Sequence, residues 1–143
     1  MRSKLTGFFL LLLIYSGVFA CNSRTLVTDP AKLREIEGIL QAIPVHPDMN
    51  EVAAAPTSSG ESLLGKRYKS ALPLAEARSF YVEKLVEQGW RFDGEEAVKD
   101  RGRNKGERLL VFSRAGYRLD VKYAGERAGE LGWRYSVQIR PTP

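Results

Sequence analysis

The pattern of apolar and polar positions is sharpest in the last third of the chain. Tyr117, Leu119, Val121 and Tyr123 alternate with Arg118, Asp120 and Lys122. Trp133, Tyr135, Val137 and Ile139 alternate with Arg134, Ser136, Gln138 and Arg140. Leu110 and Phe112 alternate within Glu107–Arg114, and Trp90-Arg91-Phe92 opens another such run. A period of two sends successive side chains to opposite faces, so each run predicts a strand with one buried and one wet face. On that pattern Trp133, Tyr135, Tyr117 and Tyr123 belong to the inner face. Ala115-Gly116 reads as a turn and Gly125–Gly132 as a glycine-bearing loop.

Upstream the period changes to that of a helix. In Pro73–Trp90, Leu74, Ala77, Tyr81 and Leu85 recur at steps of three and four, with Phe80 and Val82 widening the stripe. Pro73 suits the first helical position, where a missing N–H costs nothing. Gly89 suits the left-handed residue that ends a helix, which lets Trp90 fold back onto Leu85. A second stripe, Leu33, Ile36, Ile39, Leu40 and Ile43, follows the helix-starting pair Asp29-Pro30 and stops at Pro44. Gly38 inside it costs about 1 kcal/mol relative to alanine, so this helix is short and held by docking.

Pro44 and Pro47 force the segment between the helices to run extended. Asn50–Ala54 and Leu63–Leu72 read as a pair of strands around the turn-rich Pro56–Gly60, with Leu64, Tyr68 and Leu72 on one face. The whole predicts an α+β, two-layer domain. Its antiparallel sheet has about five or six strands, covered by one main helix, with a short N-terminal helix added.

The first twenty residues follow a different logic. Arg2 and Lys4 precede the apolar Leu5–Tyr15, and small residues then lead to Val18-Phe19-Ala20-Cys21. That is the charge, apolar run and small-residue cut of a secretory signal. The apolar run falls short of the about 20 residues that span a bilayer, which disfavours a retained membrane helix. Losing Arg2 and Lys4 with the leader lowers the formal net charge from +5 to +3. An excess that mild gives no argument for nucleic acid, and export discounts it further.

Cys21 is the only cysteine of the 143 residues, so the exported chain forms no internal disulfide. Val18-Phe19-Ala20-Cys21 resembles the lipobox of bacterial lipoproteins, with a bulky Phe19 in its variable slot. The resemblance implies that Cys21 receives a diacylglycerol, that residues 1–20 are removed, and that the lipidated cysteine becomes the N-terminus. Residues 21–29 are then lipidated cysteine and tether, and residues 30–143 a single domain. Several acyl chains, at about 0.8 kcal/mol per buried methylene, give anchorage that one chain cannot. Asn22 stands where the family's inner-membrane retention signal places aspartate, which favours the periplasmic side of an outer membrane in a two-membrane bacterium. The alternative is a plain cleavage site that leaves Cys21 as a free thiol.

A second resemblance rests on Pro44-x-x-Pro47-Asp48-Met49 followed by Phe80-Tyr81-x-x-x-Leu85-x-x-x-Gly89-Trp90. This pattern is similar to that of small exported bacterial proteins, often lipoproteins, in which an extended Pro-rich segment leads to a hairpin, one helix ending in Gly-Trp, and an antiparallel sheet. It covers roughly residues 43–140 and implies a fold without an activity.

Candidate chemistry is sparse. His46 is the sole histidine, which with a single cysteine leaves no familiar metal set or nucleophilic triad. No phosphate-binding or dinucleotide motif is present, and no cofactor is implied. Asp93, Glu95, Glu96 and Asp100 read as a solvated turn, with a small exported hydrolase as the alternative that would use them. The most distinctive polar stretch is Lys99–Arg108, with Lys99, Arg101, Arg103, Lys105 and Arg108 set against Asp100 and Glu107. Two glycines predict a mobile connection between strands. Its cations suit phosphate or carboxylate groups of anionic lipid, envelope polymer or an acidic protein face. The chain therefore reads as a membrane-anchored, non-enzymatic binding or structural module.

Overall fold

The computed structural model describes residues 29–52 and 64–142. Within them a six-stranded antiparallel sheet is accompanied by three helices, an α+β arrangement. Helix α1 (Pro30–Gln41) starts at Asp29, whose carboxylate accepts the Ala31 N–H at 2.9 Å, with Pro30 in the first turn. Strands β1 (Asn50–Val52) and β2 (Leu64–Lys69) follow. Of the strands expected there, residues 53, 54 and 63 lie outside the described residues, and β2 stops at Lys69.

Helix α2 (Leu74–Glu87) buries Ala77, Tyr81 and Leu85 completely. Pro73 precedes its first residue as an extended N-cap and does not sit inside the first turn. Its other end closes on two reversed bonds: Trp90 N–H donates to Leu85 O at 2.9 Å and Gly89 N–H to Val86 O at 3.0 Å. Gly89, at φ +82°, supplies the left-handed residue that this closure requires.

Strands β3 (Arg91–Asp100), β4 (Arg103–Arg114) and β5 (Tyr117–Tyr123) form a meander. A 3-10 turn (Gly125–Arg127) and the short α3 (Ala128–Leu131) then lead to β6 (Tyr135–Pro141). The expected loop at Gly125–Gly132 is thus a compact helical connection ended by Gly132 at φ +75°. The chain order across the sheet is β1-β2-β6-β5-β4-β3, so the last strand returns to the centre.

Register sorts the two faces. Phe112, Leu119, Ile139 and Leu64 stand in one cross-sheet row, and Leu110, Val121 and Val137 in the next. Together with Tyr68, Tyr135 and Trp90 these form the core under Ile36 and Leu40 of α1 and Ala77, Tyr81 and Leu85 of α2. Cover is shared between helices of 12 and 14 residues. Three buried tyrosines anchor it: Tyr135 donates to Leu72 O at 2.7 Å, and Tyr81 to the Met49 thioether at 3.4 Å. Burial, followed by the charge of Glu51, pushes the third, Tyr68, up to about 12. Among the described residues no helix is long and apolar enough to cross a membrane.

Candidate functional site

The basic stretch Lys99–Arg108 is the end of the β3–β4 hairpin. Arg101 and Gly102, at φ +47° and +80°, make the two-residue turn whose twist matches the flanking strands. Asp100 faces Arg103, and Lys99 faces Asn104. The expected mobile connection is therefore mostly strand. Its second glycine, Gly106, bends β4 at φ +75°, with its N–H held by the Asn104 carboxamide oxygen at 3.0 Å.

A clamp sits at the base of that tip. Gly125 lies so close to β4 that an added Cβ would meet the Lys105 carbonyl oxygen at 2.3 Å and the Glu107 nitrogen at 2.8 Å. Arg127 reaches Asp100 at 3.8 Å, Glu107 at 3.7 Å and Glu130 at 3.2 Å. Its hydrogen bonds hold the Glu130 carboxyl below the usual range. Glu107 is buried, with Lys122 Nζ 2.9 Å from its carboxylate.

The five cations fall into two groups. Lys105 lies 3.5 Å from Asp100, and Arg108 lies 3.5 Å from Glu95, which Arg78 also reaches at 3.3 Å. Lys99, Arg101 and Arg103 are exposed and have no carboxylate within ion-pair distance among the described residues. The structure thus separates two stem cations from three at the tip.

The acidic residues are not a turn: Asp93, Glu95, Glu96 and Asp100 are spread along β3. Arg91 holds Asp93 at 2.6 Å and, with Ser113, keeps its carboxyl below the ordinary range. Glu95 and Asp100 are engaged by the stem cations, and Glu96 faces Leu109. Two shallow grooves, of about 530 and 350 Å³, meet at Lys69 and Ser70, and none of these acids lines either. His46 closes the Pro-rich turn: Nδ1 accepts the Asp48 N–H at 3.1 Å, and the ring stands edge-on to Phe80 at 4.9 Å. Among the described residues no three His, Cys, Asp or Glu side chains gather at one point. Cys21 lies outside the described residues.

Sequence reasoning missed the polar row on the outer face of the sheet, in which Ser136 is buried between longer side chains. Register aligns Arg67, Ser136 and Lys122 across β2, β6 and β5. Trp133, expected on the inner face, lies instead beside this row, its ring centre 5.9 Å from the Arg67 guanidinium and 6.0 Å from Lys122 Nζ. It precedes β6, so the strand's alternation does not reach it. Further along, Asp120 is shared by Arg118 at 2.7 Å and Arg140 at 3.6 Å. The signal was the run of polar alternates, but only the strand order brings them together. No family model, curated protein or solved structure matches the chain.

Proposed function

We propose that this chain is a lipid-anchored protein of the bacterial envelope and acts there as a non-enzymatic binding or structural module. The observation that carries the reading is Val18-Phe19-Ala20-Cys21 at the end of the apolar run, with Cys21 the only cysteine of the chain. In this reading residues 1–20 are a cleaved leader and residues 22–28 a tether. The domain begins at α1, with α2 as the principal cover of the sheet. Asn22 favours the periplasmic side of an outer membrane. The basic β3–β4 tip is the surface offered to anionic envelope material. A hydrolase using Asp93, Glu95, Glu96 and Asp100 draws no support from their positions, since three of the four are tied to arginine or lysine.

The test is metabolic labelling with a palmitate analogue, followed by membrane fractionation, of wild type and Cys21→Ser. The expected result is label and membrane association in wild type. Cys21→Ser should lose the label and appear as uncleaved precursor or as protein freed from the membrane. Equal labelling and equal fractionation of the two proteins would overturn the assignment.

A further inference from the structure

The basic tip and the end of the tether lie at opposite ends of the sheet. The tether joins the domain at Asp29, the cap of α1. Near the start of that helix, Lys32 Nζ lies 4.6 Å from the ring centre of Tyr117, and Glu35 accepts the Tyr117 hydroxyl. Tyr117 faces Arg114 beside the β4–β5 turn, where the Thr142 N–H also reaches Gly116 O. From that turn β4 runs back for 12 residues to Arg103. At about 3.3 Å per residue, roughly 35 Å separates the two ends.

Covalent geometry limits the other distance. Residues 22–28 reach at most about 25 Å even fully extended. With Cys21 in the bilayer, the α1 end of the domain stays within about 25 Å of the headgroups, and a domain standing on that end carries the hairpin away from them. In that posture the tip stands roughly 35 Å beyond the α1 end, several times the Debye length of about 8 Å at physiological ionic strength, and the charge of the anchoring membrane is screened from it.

The shape of the tip selects among the remaining anions. Lys99, Arg101 and Arg103 are exposed on and beside the Arg101-Gly102 turn, and none of them lines either groove, so among the described residues nothing there is shaped to enclose a small ion. Single surface contacts of this kind are weak, whereas a chain of repeated charges engages several at once and rebinds before it departs. The stem is fixed by the Gly125 contact and by Arg127, so the tip holds its place, with Lys99 and Arg103 on opposite faces of the hairpin, Asp100 across from Arg103, and Arg101 on the turn between them.

We infer that the β3–β4 tip is a docking point for an anionic polymer, a chain of repeated phosphate or carboxylate groups, on the side of the protein that faces away from its anchoring membrane. Its direction rests on the lipid-anchored reading; its charge and shape do not.

The experiment uses the full lipidated chain in vesicles of neutral phosphatidylcholine or of phosphatidylcholine with phosphatidylglycerol. Polyphosphate and polyglutamate serve as polymer probes, and together they separate phosphate from carboxylate recognition. Lys99→Glu/Arg101→Glu/Arg103→Glu is compared with wild type and with Arg34→Glu, which reverses an exposed charge near the anchored end. Wild type and Arg34→Glu should capture at least one polymer in both vesicles. The triple reversal should weaken that capture at least about tenfold, and added salt should weaken it in wild type. A dye placed by Asn104→Cys should be insensitive to a quencher carried on the lipid headgroups.

Equal capture by wild type and the triple reversal would overturn the inference, as would strong quenching of the dye, which is the outcome of a membrane-facing tip. Palmitate labelling is read on the same preparations. Absent label with capture intact removes the anchored reading and leaves the polymer contact standing; label present with no capture does the reverse.

Discussion

The guanidinium of Arg114 stacks 4.5 Å above the ring of Trp90, while its Nη1 donates to the Gln88 carbonyl at 3.0 Å. One side chain at the end of β4 therefore caps the carbonyl end of α2 and covers the buried indole that follows it. We expect Arg114→Ala to cost about 1–2 kcal/mol, from a stacked cation and a charge-assisted bond to a helix end. Arg114→Lys should recover only part of that, since an ammonium lacks the planar fork. Trp90→Ala should cost about 3–5 kcal/mol. Trp90→Phe should cost less, because the indole N–H has no partner among the described residues. Urea unfolding measures all four, and an Arg114→Ala protein as stable as wild type would refute the cap.

Alkaline pH should unfold the domain through its buried tyrosines. Burial raises Tyr68 to about 12 and raises Tyr81 and Tyr135 in the same direction. A folded-state value above the unfolded value of about 10 means that the folded protein holds its proton longer. This contribution is complete below about pH 10 and is lost as pH rises through about 12. Absorbance at 295 nm and far-ultraviolet circular dichroism, followed together, should show late tyrosine ionisation coincident with loss of structure. Ionisation of every tyrosine near pH 10 with unchanged ellipticity would contradict the placement of these three rings.

Two glycines give opposite forecasts for the same substitution. Gly38 lies inside α1, where an added Cβ meets nothing within 4 Å. Gly38→Ala should stabilise by about 0.5–1 kcal/mol through helix propensity alone. Gly125, at φ +57°, has the Lys105 carbonyl oxygen 2.3 Å from where its Cβ would stand. Gly125→Ala should destabilise by at least about 2 kcal/mol, since backbone on both sides must shift. Thermal melts of the two variants should move apart, and a Gly125→Ala midpoint equal to wild type would mean that the 3-10 turn does not clamp the hairpin.

Legibility in the sequence followed the range of the interaction. The α2 stripe, the Gly89-Trp90 closure and the alternation in β5 and β6 depend on neighbours within about four residues, and their period was visible directly. Trp133 leaves the inner face because the alternation of β6 does not carry through the break that only the path of α3 creates. In the sequence the acids of β3 look like a turn because Gly94 interrupts the run. In the fold Gly94 takes φ +142° at a register shift between Phe92 and Gly94, and the strand continues beyond it. The division of the basic stretch into paired and unpaired cations depends on Asp100 and Glu95, which only the hairpin register brings beside Lys105 and Arg108. The outer-face row of Arg67, Ser136 and Lys122 joins three strands that are distant in sequence, and no local pattern encodes it.

Glu107 offers the sharpest test of the hairpin base. Its side chain is 1 % exposed, and neither carboxylate oxygen has a hydrogen-bond partner among the described residues. The compensating charges are Lys122 at 2.9 Å and Arg127 at 3.7 Å. Removing one partner of such a pair strands the other, which costs more than the pair contributes. Lys122→Met should therefore destabilise by about 3 kcal/mol, less whatever Arg127 still compensates. Glu107→Gln should cost less, because a neutral amide needs no counter-charge. In Glu107→Leu/Lys122→Met both charges are gone and the loss should shrink below that of Lys122→Met alone. A double-mutant cycle read by urea unfolding gives the coupling directly. If the double variant is as unstable as the sum of its singles, the two side chains act independently and the buried pair is not what fixes β4 to β5.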